Sequence, residues 1–75
     1  MNTRKIKVAI IGLGNMGKYH VQNYQSLPNA EIIAVCDNNH SLAQQTAEKY
    51  ATKAYTSLDT LLAKEQVEAI SLATP

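Results

Sequence analysis

The stretch Val8-Ala9-Ile10-Ile11-Gly12-Leu13-Gly14-Asn15-Met16-Gly17-Lys18-Tyr19-His20 decides the reading of this chain. Lys7 to Ile11 is a run of mostly β-branched apolar residues, the pattern of a strand buried on both faces. Three glycines follow at once, spaced Gly-x-Gly-x-x-Gly. From Asn15 a helical pattern begins, with Met16, Tyr19, His20, Tyr24 and Leu27 within reach of one face. Pro28-Asn29 then breaks it, as a proline just past a helix end does.

Working outward, Glu31 to Cys36 reads as a second strand, again rich in Ile and Val. Asp37-Asn38-Asn39-His40-Ser41 is a turn in which Asn39 or Ser41 can cap the next helix. In that helix Ala43, Thr46, Ala47 and Tyr50 recur at three- and four-residue spacing. A short strand around Ala54-Tyr55 follows. Thr56 or Ser57 can cap a further helix whose Leu58, Leu61 and Leu62 form an apolar core stripe, and Glu68 to Ala73 reads as a buried fourth strand. Strand and helix thus alternate three times before a last strand, which implies an α/β fold of parallel strands joined by right-handed crossovers. The expectation is a partial doubly wound (Rossmann) parallel sheet of four strands, order 3-2-1-4, with three helices. The ligand crevice lies between strands 1 and 4, where the winding reverses.

Three glycines at this spacing are weak evidence alone, and their context gives them weight. They sit between a strand and a helix, and Asp37 lies at the end of the second strand, 20 residues past Gly17. Gly12 permits the tight turn, Gly14 lets backbone approach a pyrophosphate, and Gly17 lets the helix pack close to the strand. The helix N-terminus offers unpaired N–H groups and partial positive charge to the phosphates. Asp37 is placed to accept hydrogen bonds from the adenosine ribose hydroxyls. Its carboxylate would repel a 2′-phosphate, and no Arg or Lys occurs between Asn38 and Gln45 to bind one, which favours NAD over NADP. A turn or helix-cap role for Asp37 is compatible with the same position.

Composition excludes several other classes. A net charge of +1 gives no electrostatic case for nucleic acid or an anionic membrane, and Arg4, Lys5 and Lys7 serve to keep a strand start soluble. The single cysteine excludes an internal disulfide and fits a reducing compartment. The apolar run after the basic N-terminus is too short for a secretory signal, and nothing approaches a membrane span, so a cytoplasmic location is expected. Cys36 reads as a small buried hydrophobe, His20 as a packing or hydrogen-bonding helix residue, and His40 as solvated loop. No His, Cys or carboxylate pair has metal-ligand spacing. A 75-residue chain holds one small domain of marginal stability.

Four blocks together resemble the N-terminal domain of the Gfo/Idh/MocA oxidoreductases, the glucose–fructose oxidoreductase and inositol dehydrogenase relatives. They are Val8 to His20, Ala34-Val35-Cys36-Asp37, Tyr55-Thr56-Ser57-Leu58-Asp59-Thr60-Leu61-Leu62, and Glu68-Ala69-Ile70-Ser71-Leu72-Ala73-Thr74-Pro75. The resemblance implies that Gly12, Leu13, Asn15, Met16 and Asp37 contact the dinucleotide. It also implies that Thr74 and Pro75 begin the loop beside the ribose and nicotinamide. Members of this family usually oxidise a secondary alcohol of a sugar, polyol or related compound, or run the reverse reduction. A lysine in a Glu-Lys-Pro motif after the fifth strand, with a histidine from a second domain, commonly handles the proton. None of Lys18, Lys49, Lys53 or Lys64 occupies that motif, so no catalytic residue is assigned. Residues 1–75 are accordingly expected to be the N-terminal part of a dinucleotide-binding domain, a fragment without the substrate domain and inactive alone. A full-length form is expected to take a small-molecule substrate and to be a homo-oligomer.

Two alternatives stay open. The β-hydroxyacid dehydrogenases often carry Gly-Leu-Gly-x-Met-Gly too, although Lys18-Tyr19-His20 and Ala73-Thr74-Pro75 favour the first family. A non-catalytic dinucleotide-binding or regulatory module would share the fold, since fold alone does not fix function.

Overall fold

In the computed structural model, which describes residues 5–73, four strands and three helices alternate: β1 (Ile6–Ile11), α1 (Asn15–Gln25), β2 (Ala30–Cys36), α2 (His40–Tyr50), β3 (Lys53–Tyr55), α3 (Leu58–Lys64) and β4 (Ala69–Leu72). All pairings are parallel and the sheet order is β3-β2-β1-β4, as the alternation implied. Each strand ends within a residue or two of its expected limit. Helix α1 stops at Gln25, before the proline, because Ser26 closes it: its N–H donates to Gln22 O at 3.2 Å and its Oγ to Asn23 O at 2.8 Å.

The side-chain sizes on the two faces of the sheet explain how the helices sit. Val8 and Ile10 of β1 and Val35 of β2 meet Val21 of α1 and the small Ala43 and Ala47 of α2. On the opposite face Ala9, Ala34 and Cys36 are small, and Leu61 of α3 packs onto them. Register carries one irregularity: Val8 pairs with Ile32 but Ala9 with Ala34, leaving Ile33 as an extra residue in β2. Ile33 and Ala34 consequently join the same cluster, which strict alternation would forbid.

Three details of the sequence reading need correction. The buried face of α1 is Gly17, Val21 and Tyr24, one residue every three or four, whereas Tyr19 is 63% exposed and Leu27 lies past the helix end, exposed. Gly17 sets that face by its contact with the preceding turn, described below. In α3 only Leu61 is fully buried; Leu58 is half-buried and Leu62 is 46% exposed. Finally, β4 is buried on one face only. Ser71 faces the α1 side, whereas Ile70 and Leu72 are exposed, the latter at 64%. β4 is one of the two edge strands, paired among the described residues with β1 alone, so its α3-side face extends beyond the cover α3 provides.

Caps follow the residue chemistry. Asn39, not Ser41, caps α2, its Oδ1 accepting from Leu42 N at 3.1 Å, and Ser57, not Thr56, caps α3 by accepting from Thr60 N. α2 ends on Ala51 in the left-handed region at φ 55°, whose N–H and that of Thr52 satisfy the last helical carbonyls. No described helix is long and apolar enough to cross a membrane.

Candidate functional site: the glycine turn and Asp37

The parallel sheet brings the C-terminal ends of its strands to one edge, where the glycine turn and Asp37 meet. The ladder runs one step past each strand: Gly12 N donates to Cys36 O at 2.8 Å, Asp37 N to Tyr55 O at 3.1 Å, and Ala73 N to Ile11 O at 2.8 Å. The glycine turn thus leaves β1 between the ends of β2 and β4.

The three glycines differ in what the folded chain asks of them. Gly12 has φ 89°, a conformation that side chains with a Cβ rarely adopt. At Gly17 a Cβ would lie 2.1 Å from the Gly12 carbonyl oxygen and 2.8 Å from its carbon, so the helix could not approach the turn. The closeness is between helix and turn, one step nearer the site than the helix–strand contact expected. Gly14 is different. It caps α1 at φ −70° and ψ −155°, ordinary extended backbone, and a Cβ there would meet nothing within 4 Å. Neither conformation nor packing of the chain requires a glycine at that position.

Helix α1 begins at Asn15 with no side-chain hydrogen bond at its cap, unlike α2 and α3, whose caps are made, and like α2 it has no acidic residue in its first turn. Its leading N–H groups therefore lack the side-chain acceptor that the other helices have. Asn15 and Met16 open the helix; their side chains, and Thr74 and Pro75, lie outside the described set.

Asp37 performs a task that the sequence did not reveal. Its Oδ2 accepts from Leu13 N at 2.7 Å and its Oδ1 from Asn39 N at 2.8 Å. One carboxylate therefore pins the glycine turn to the end of β2 and shapes the following turn. Leu13 itself is buried among the residues beneath α1 and α2, so the turn is held from both sides. A carboxylate offers about four lone-pair positions, and two N–H donors leave others free for a further donor. The turn role and the ribose role of Asp37 are thus compatible.

Neighbouring groups show no sign of nucleophilic activation. Burial, and then the Asp37 charge, push the Cys36 thiol above its usual range, and the side chain is buried. His40 opens α2 and is exposed. Among the described residues no three His, Cys, Asp or Glu side chains converge as metal ligands. His20, half-buried on α1, has its Nδ1 2.8 Å from Ser71 Oγ across to β4.

Together these features fit a dinucleotide: a left-handed glycine, a glycine whose missing side chain faces open space, a helix N-terminus without a side-chain cap bond, and a carboxylate at the second strand's end. Known proteins agree. The model of the Gfo/Idh/MocA oxidoreductase family, NAD-binding Rossmann fold, matches residues 6–75. The UDP-N-acetylglucosamine 3-dehydrogenase of Acidithiobacillus ferrooxidans is 33% identical over 70 residues, 93% of this chain and 21% of that protein. An inositol 2-dehydrogenase of Renibacterium salmoninarum is 38% identical over 71 residues, 93% of this chain and 22% of its own length. Among solved structures, the WlbA dehydrogenase of Bordetella pertussis, in complex with NADH and UDP-GlcNAcA, superposes with a TM-score of 0.87 at 32% identity. That match covers 96% of this chain and 23% of the dehydrogenase. The chain therefore spans about a fifth of the length of these relatives. By sequence, fold and the build of its glycine turn, the chain belongs to the Gfo/Idh/MocA oxidoreductase family, as its NAD-binding Rossmann fold.

Proposed function

We propose that this chain holds the dinucleotide of an NAD-dependent oxidoreductase acting on a secondary alcohol, or the corresponding ketone, of a sugar, polyol or related compound. The observation that carries the reading is Gly14. The fold requires glycine at positions 12 and 17 but not at 14, where the absent side chain leaves the N-terminus of α1 open. A pyrophosphate approaching that helix end is the chemistry that would use the space.

In this reading Gly12, Leu13, Gly14, Asn15, Met16 and Gly17 form the phosphate cradle. Asp37 receives the adenosine ribose hydroxyls on the lone pairs its two backbone donors leave free. Thr74 and Pro75, next after Ala73 in the sequence, are assigned to the ribose and nicotinamide side. When bound, the cofactor supplies a hydride acceptor at the nicotinamide ring. The chain's own contribution is to bind and orient; proton transfer and substrate recognition fall to residues beyond these 75. The substrate class is taken from what the relatives act on, an inositol and a UDP-linked amino sugar. NAD is preferred to NADP because Asp37 carries a negative charge where a 2′-phosphate would lie.

Titrating the isotopically labelled chain with NADH tests this by amide chemical shifts. Changes concentrated at Gly12 to Gly17 and Asp37 are expected. A folded chain whose shifts are unmoved, or move only elsewhere, would overturn the assignment.

A further inference from the structure

Ser71 is the buried polar side chain of the described core, 8% exposed on β4. It pairs in register with Ile10, and so faces α1, and its hydroxyl meets His20 Nδ1 at 2.8 Å. Closer to the start of β4, apolar packing between α1 and the sheet is incomplete. Val8, Ala69, Tyr24 and Leu27 are among the residues lining an open, mostly apolar cavity of about 260 Å³. The polar contact therefore ties α1 to β4 beside a gap that side-chain packing does not close.

The tie lies near the proposed site on both of its elements. On α1, His20 is three residues past Gly17, about one helical turn. On β4, Ser71 is two residues before Ala73, whose N–H donates to Ile11 O immediately before the glycine turn. Toward β1, the helix is fixed by Gly17 against Gly12 and by the buried Val21. A helix held along one side can still rock about that line. A second anchor on the β4 side removes this freedom and sets how far α1 stands from β4.

We propose that His20, acting through Ser71, is a positioning residue for the dinucleotide, setting the spacing between the helix end that receives the pyrophosphate and the end of β4 that borders the nicotinamide half. The proposal rests on the dinucleotide reading given above. It separates the two halves of the ligand. AMP, the adenosine half, needs the glycine turn and Asp37, whereas the complete dinucleotide also needs the β1–β4 crevice at its correct width.

The test is calorimetric titration of the full 75-residue chain with NADH and with AMP. It uses the unaltered chain, His20→Ala, Ser71→Ala, the double variant and His20→Asn. The unaltered chain should bind NADH more tightly than AMP. Each single alanine variant should lose about five- to tenfold in NADH affinity, the double variant no more, and AMP affinity should hold within about twofold. His20→Asn, whose amide places a polar atom near the position of Nδ1, should restore most of the loss. Unchanged NADH affinity in Ser71→Ala, equal loss of both ligands in step with a lower melting temperature, or equal affinity of the unaltered chain for both would overturn the positioning role. Binding of neither ligand by the folded, unaltered chain would instead overturn the dinucleotide reading, and the positioning role with it.

Discussion

The backbone N–H of Leu13 donates to the carboxylate of Asp37 at 2.7 Å, across 24 residues of sequence. That bond joins the glycine turn to the proposed ribose acceptor, so the two ends of the proposed adenosine site are tied together. The same carboxylate takes the N–H of Asn39, which leads into the cap of α2.

Asp37→Ala should therefore act twice. It leaves the part-buried Leu13 N–H without its acceptor, costing about 1–3 kcal/mol of stability, and it removes the charge set against a 2′-phosphate. Urea unfolding should register the first effect, and a narrowed preference for NAD over NADP the second. An unchanged preference would refute the specificity role and leave the structural one.

The glycines should separate stability from binding. Gly17→Ala drives a Cβ into the Gly12 carbonyl and should destabilise by about 2–4 kcal/mol or prevent folding, since backbone on both sides must give way. Gly14→Val places its Cβ with no neighbouring atom within 4 Å and should change stability by no more than about 1 kcal/mol, with the cost of a poorer helix cap partly offset by lost unfolded-state entropy. It should nevertheless abolish dinucleotide binding. Circular dichroism melts and titration of the same samples check both halves.

Ala51→Gly should stabilise the chain. Ala51 closes α2 at φ 55°, a left-handed conformation costing about 1 kcal/mol for a residue with a Cβ. A rise in the urea midpoint with unchanged slope is expected.

The tie between β3 and α3 should be pH-dependent. Tyr55 Oη donates to Glu65 Oε2, and Lys53 Nζ lies 3.2 Å from the same oxygen. The Tyr55 hydroxyl first, and then Lys53, hold the Glu65 carboxyl below its ordinary 4.5. The stability this supplies is present above 4.5 and lost as pH falls through the lowered value. Tyr55 is raised above its ordinary 10.0, first by the bond to Glu65, so its share is present below 10.0 and lost as pH rises through the raised value. Tyr55→Phe should be less stable than the unaltered chain near pH 7, with the difference closing in strong acid and strong alkali. A difference independent of pH would show that these ionisations are not linked to folding.

Periodicity alone made the sheet order and the helices legible, because parallel strands read as continuous apolar runs and the glycines and Asp37 punctuate them. Side-chain hydrophobicity failed where its premise failed. Gly17 has no side chain to register in a pattern, yet it selects the face of α1, so apolar spacing points to the exposed Tyr19 and misses the buried Val21. Ile70, Leu72 and Leu62 are as apolar as core residues, and only the edge position of β4 and the reach of α3 show that they face outward. The extra residue at Ile33 leaves no mark in composition. At the candidate site the sequence shows the glycine spacing and Asp37 but not their coupling. The Leu13–Asp37 bond and the His20–Ser71 contact join residues far apart in sequence, and no local spacing announces either.

The most direct test of the central claim is calorimetric titration of the folded chain with NAD and, separately, NADP. Saturable binding of NAD with one site per chain, tighter than NADP, is the predicted result. A folded chain that binds neither, or that prefers NADP, would contradict the roles assigned to the glycine turn and to Asp37.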